Sequence, residues 1–112
     1  MNRFLTIFFI ATIYFGCNSE DSNSNKSEGY LRGKKIYKSV CISCHSVDPR
    51  KQGPLAPPIA GSELEVIKSM VMTGKHPKGV QPKWPERDRE MEPLPHLEDE
   101  IPHLYEYLKS FN

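Results

Sequence analysis

Apolar side chains fall into separate groupings along the chain, and their spacing differs from one to the next. Phe4 to Phe15 is a single apolar run, preceded only by Met1-Asn2-Arg3. Residues 18–27 then contain no apolar side chain and have nothing with which to build a core. From 28 to 40, Tyr30, Leu31, Ile36, Tyr37 and Val40 recur at helical rather than alternating intervals, with Ser27 placed to cap the helix start. Residues 46–61 are broken by Gly53-Pro54 and Pro57-Pro58 and predict a loop. Leu64, Ile67 and Val71 share one helical face, with Met70 beside it. Ser62-Glu63-Leu64-Glu65 reads as a capping box that opens this second helix, and Gly74 closes it. Residues 75–97 hold Pro77, Pro82, Pro85, Pro93 and Pro95 with no helical period, so they are expected to wrap rather than form regular structure. A last helix is expected over about 98–110, where Ile101, Leu104, Tyr105, Leu108 and Phe111 follow at threes and fours. Its acidic first turn and Lys109 suit the helix dipole, whereas Pro102 near the start points to a late beginning. No stretch alternates as a strand would, so the pattern predicts an all-α domain of three to four helices with proline-rich loops.

The ends of the chain divide it further. The basic start and the run to Phe15 have the form of a secretory leader and are too short to span a bilayer, which needs about 20 apolar residues. Gly16-Cys17 at its end resembles the lipobox of bacterial lipoproteins, although Tyr14 and Phe15 are bulkier than the residues usual there. The resemblance implies a signal peptide at 1–16, lipidation of Cys17 and a flexible linker over 17–27, leaving 28–112 as one domain. A free or disulfide-bonded Cys17 is the competing reading. Lipidation accounts better for an odd cysteine in an exported chain.

Charge adds a polarity along the chain and little else. The formal net charge of +1 falls to 0 when Arg3 leaves with the leader. No basic patch studded with aromatics asks for nucleic acid. Residues 26–83 hold eleven Lys/Arg against four Asp/Glu, and residues 84–112 hold three against eight. Such a dipole can steer an acidic partner, or consist of ordinary solvated helix faces.

The chemistry concentrates in Cys41-Ile42-Ser43-Cys44-His45, because C-x-x-C-H is the attachment signature of a c-type haem. Two thiols three positions apart can each bond one porphyrin vinyl group, and His45 is then placed as a proximal iron ligand. A structural zinc site would need a second Cys/His pair, and a thioredoxin-like dithiol a βαβ context; the chain offers neither. A plain Cys41–Cys44 disulfide is the remaining alternative.

With those residues in view, the chain resembles the class I c-type cytochromes. Gly33-Lys34-Lys35-Ile36-Tyr37 before Cys41 is similar to their N-terminal helix, Pro57-Pro58-Ile59-Ala60-Gly61 to their Pro-Pro-Leu-x-Gly run, and Met91-Glu92-Pro93-Leu94-Pro95 to their Met-Pro-x-Phe-Pro segment. The resemblance covers 28–112 and implies a small cytochrome c fold around one covalent haem c. It implies thioethers at Cys41 and Cys44, His45 and Met91 as axial ligands, and a carbonyl of Pro57 or Pro58 that orients His45. Tyr37, Ile59 and Trp84 would complete the haem pocket, and Tyr105 and Leu108 would meet Gly33 and Tyr37. His76, His96 and His103 compete with Met91 for the distal position, while Met70 and Met72 are read as packing residues. The implied function is one-electron transfer between membrane-bound redox complexes, on the periplasmic or cell-surface side, with a lipid anchor and neither a small-molecule substrate nor enzyme activity. Two alternatives stand beside it: a haem sensor or peroxidase with an open or labile sixth position, and an electron-entry subunit fixed to one oxidoreductase.

Overall fold

In the computed structural model, residues 25–85 and 90–112 are described. They form three α-helices, α1 (Glu28–Val40), α2 (Leu64–Thr73) and α3 (Ile101–Lys109), with 3₁₀ turns at Cys41–Ser43 and Pro95–Glu100. Among the described residues there is no strand, and no helix is long and apolar enough to cross a membrane. The sequence expectation of a small all-helical fold is met. Cys17 and the 1–16 segment lie outside the described residues.

α1 starts where its pattern places it. The Ser27 hydroxyl accepts from the Tyr30 N–H at 3.1 Å and also donates to the Glu106 carboxylate, so one side chain closes the helix and ties it to α3. The second helix opens differently from the expected capping box. Its N-cap is Glu63, without a side-chain cap bond, and the Ser62 hydroxyl instead donates back to the Ile59 carbonyl at 2.7 Å. The preceding loop draws the hydroxyl away from the helix. Gly74 does end α2, with left-handed φ of 71°. The third helix starts at Ile101, after a 3₁₀ turn that takes up residues 95–100. Pro102 then lies in the first α-turn, where proline is well tolerated.

The core is the junction of α1 and α3. Tyr37, Ile67, Val71, Leu97, Ile101, Leu104, Tyr107 and Leu108 are buried. Tyr107 was not in the expected stripe, and it displaces Tyr105 as the partner of α1: its ring lies 5.5 Å from Tyr37, 5.3 Å from Tyr30 and 5.1 Å from Phe111. Such tilted and edge-on distances favour aromatic pairs beyond their buried area. Tyr105 is only half-buried. The helices approach closely because residue 33 has no side chain. A Cβ there would lie 2.0 Å from the His103 carbonyl oxygen and 3.0 Å from the Tyr107 Cβ. On the rim, Arg32 grips the Glu100 carboxylate with two guanidinium nitrogens, Nε at 2.7 Å, and this hydrogen bonding holds the carboxyl below its ordinary range.

Gly33→Ala weighs two effects against each other. Alanine gains about 0.5–1 kcal/mol in helix propensity, and overpacking costs about 1–3 kcal/mol. The obstacle at Gly33 is backbone, which cannot swing aside, so the cost wins. The variant is expected to melt at a lower temperature than the parent by circular dichroism, and an unchanged or higher midpoint would refute the close crossing.

Candidate haem site

The attachment motif follows α1 without a break. Cys41 caps the helix, its N–H donating to the Tyr37 carbonyl, and the chain tightens into one 3₁₀ turn that ends at Cys44. With 3.0 residues per turn, 3₁₀ positions i and i+3 eclipse, so residues 41 and 44 come to one side. The His45 N–H closes the turn on the Cys41 carbonyl at 2.9 Å. Cys41 and Cys44 stand as separate thiols, Cys41 half-buried and Cys44 exposed. Burial, then the neighbouring Cys44, push the Cys41 thiol up to about 11, so it stays protonated at neutral pH.

His45 is oriented by backbone. Its Nδ1 lies 2.9 Å from the Pro57 carbonyl oxygen. A carbonyl only accepts, so Nδ1 carries the proton and Nε2 keeps its lone pair. The Pro58 carbonyl is engaged elsewhere, accepting from Lys83 Nζ at 2.6 Å. Burial lowers the imidazole's affinity for a second proton, partly offset by the Pro57 bond, so the ring is neutral as a metal ligand must be. Two further bonds hold this loop in place: Leu55 N–H to the Cys44 carbonyl at 3.1 Å and Ile59 N–H to the carbonyl of fully buried Pro49 at 2.9 Å.

Tyr37 does not line the site. It is 0% exposed, so the protein already covers its whole surface and none is left for a cofactor. Its hydroxyl donates to the Ser46 carbonyl, immediately after His45, and the residue acts as a strut from the α1–α3 core to the ligand loop. Burial raises its phenol pKa, which keeps that donor protonated. Ile59, Met91 and Leu94 are half-buried and packed on the core cluster. Trp84 is also half-buried.

The competing histidines lie in other settings. His96 is exposed. The His103 ring lies beside Gly29, Nδ1 3.3 Å from where a Cβ would be. That is the opposite end of α1 from Cys41, about 18 Å along the axis at 1.5 Å per residue. His76 lines an open cleft of about 230 Å³ together with Gly61, Val66, Val80, Gln81 and Lys83.

The donor set and its surroundings fit a covalently held haem. Among the described residues, no group of three or more His, Cys, Asp or Glu is close enough to hold a metal ion, so a protein-only zinc site has no ligands here. Helices α1 and α2 each pack on α3, and their backbones do not approach one another closely. Apolar side chains from both sides, Val40, Cys41 and Ile42 at the end of α1, Met72 on α2, and Met91 and Leu94 beyond it, pack on the core and stay only partly covered. A flat apolar ring fixed at 41 and 44 and ligated by His45 would cover such a surface. The fold and site thus define a small helical domain for a c-type haem. The Cytochrome c family model matches residues 30–112, and the chain belongs to that family, whose haem c is covalently attached and whose general role is electron transfer. No curated protein matches the chain significantly.

Sequence reasoning missed Tyr107, whose signal was its placement three residues after Leu104. It also missed the strut from Tyr37 to Ser46, which no sequence spacing announces.

Tyr37→Phe keeps the ring and removes the strut. The expected loss is about 0.5–1.5 kcal/mol, the net value of one hydrogen bond, with faster amide exchange at Leu55, whose N–H bonds the Cys44 carbonyl. A variant with the parent's melting midpoint and exchange rates would show that the hydroxyl fixes nothing.

Proposed function

We propose that the protein is a one-electron carrier with His45 and Met91 as axial ligands, exported and held at a membrane through a lipidated Cys17, exchanging electrons with membrane-bound redox complexes. The observation that carries the ligand assignment is the setting of Met91. It is half-buried on the core, while His96 is exposed and His103 sits at the far end of α1. Bound haem c supplies an iron that takes up and releases one electron. The chain does the rest. His45 presents a neutral Nε2, kept in register by the Pro57 carbonyl. Met91 offers a soft thioether, which favours the reduced state and raises the potential. With His45 and Met91 both holding the iron, no position would be left open for a substrate, and this would separate the carrier from a sensor or peroxidase.

Two features support the partner and anchor readings. Exposed Lys38 and Lys51 lie near the attachment motif in sequence and Lys83 through its bond to the Pro58 carbonyl, while Arg50 is paired with Asp48. A basic surround of this kind speeds encounter with an acidic partner. The described part of the chain enters α1 after Ser27, at the end of that helix remote from Cys41.

The visible spectrum of the matured protein tests the ligands. A low-spin iron is expected, with the weak far-red band of an iron–thioether bond and indifference to carbon monoxide when reduced. Met91→Ala should keep the haem attached, lose the band and bind carbon monoxide. Low-spin iron without the band in the parent would point to His96, and a parent that already binds carbon monoxide would overturn the carrier. Cys17→Ser is expected to move the protein from the membrane to the soluble fraction, and full retention would refute lipid anchoring.

A further inference from the structure

We propose that Gly74, the residue that ends α2, is a positioning residue for Met91; the inference rests on Met91 as the distal ligand. Gly74 has φ 71° and ψ 9°, and its N–H closes the helix on the Met70 carbonyl at 2.8 Å. Its bare α-carbon is a seat for the Met91 backbone. A Cβ at residue 74 would lie 2.1 Å from the Met91 carbonyl oxygen and 3.3 Å from both the Met91 carbonyl carbon and Pro93 Cδ. One turn earlier, the carbonyl of buried Val71 accepts from the Leu94 N–H at 2.7 Å. The last turn of α2 therefore holds the segment on both sides of Pro93. Methionine has three rotatable side-chain bonds and a weak conformational preference of its own, so its sulfur is placed only as well as its backbone. Because the atom against Gly74 is a main-chain oxygen, nothing at residue 74 larger than hydrogen fits unless Met91 itself moves.

Gly79 supplies the internal control. It shares the left-handed backbone, φ 86°, with nothing within 4 Å of where a Cβ would lie. Alanine there carries the backbone strain without the collision.

The experiment compares haem-loaded, full-length Gly74→Ala, Gly74→Asn and Gly79→Ala with the parent and with Met91→Ala. Read-outs are haem per chain by mass, the far-red band, the reduction potential and carbon monoxide binding. Both Gly74 variants are expected to keep one haem per chain, to weaken the band, to lower the potential and to bind carbon monoxide at least about tenfold faster than the parent. Gly79→Ala should melt earlier and leave band, potential and gas binding unchanged. Asparagine tolerates the left-handed conformation better than alanine and brings the same Cβ, so Gly74→Asn decides if Gly74→Ala fails to accumulate. Gly74 variants with the parent's band and gas kinetics would overturn the proposal, as would a Gly79→Ala that disturbs them equally. A Met91→Ala indistinguishable from the parent would overturn the ligand reading, and the positioning role with it.

Discussion

The structure depends on the close approach of α1 and α3 at Gly33. Because the His103 carbonyl and Tyr107 Cβ come against a residue without a side chain, Tyr107 reaches both Tyr30 and Tyr37. Tyr37 is thereby locked with no exposed surface, and its hydroxyl is aimed at the Ser46 carbonyl. The loop that carries His45 is thus referenced to the largest packed interface in the molecule. A wider helix crossing would not merely loosen a core; it would release the backbone next to His45.

A second line of dependence runs through α2. The same last turn that stops at Gly74 receives the Met91–Leu94 segment, through the Val71 carbonyl and the bare Gly74 α-carbon. α2 reaches the rest of the domain by packing on α3 and on the 3₁₀ turn at 95–100. The two sides of the site are therefore set by different helices that share α3 as a common floor. Neither proposed axial side chain has to be positioned by its own conformational preference, and for a methionine that is decisive.

Much of this could be read from the chain because periodicity and special residues agree. The bounds of α1 follow from Ser27 and from the spacing of Tyr30 to Val40; the stop at Gly74 follows from the need for a positive φ. The motif at 41–45 identifies its own chemistry. What escaped has a common physical cause, competition among equivalent groups. Ser62 had two acceptable roles, and the Ile59 carbonyl won over the helix N-terminus. Tyr105 and Tyr107 are alike in apolar character and both keep helical spacing with some neighbour, so only the tertiary crossing selects Tyr107. Pro57 and Pro58 offer the same carbonyl, and the turn geometry alone turns one to His45 and the other to Lys83.

The size of the core explains why the cofactor belongs to the fold as much as to the function. Among the described residues, eight side chains make up the buried hydrophobic core, and a domain this small covers a limited share of its surface by itself. The backbones of α1 and α2 stay apart, and apolar groups on or next to them, among them Val40, Ile42 and Met72, pack on the core yet remain only partly covered. A side chain half in contact forgoes part of its dispersion and burial energy. A covalent ring of porphyrin size held at Cys41 and Cys44 would cover such groups. It would be tied to the α1 side by Cys41, Cys44 and His45, and in the proposed ligation to the α2 side by Met91. In that ligation a bond from thioether to iron would add a link between two helices that otherwise meet through α3 and the 3₁₀ turn at 95–100. Ligation strength, packing of α2 and reduction potential would then be one coupled quantity, set at the backbone seat where α2 ends.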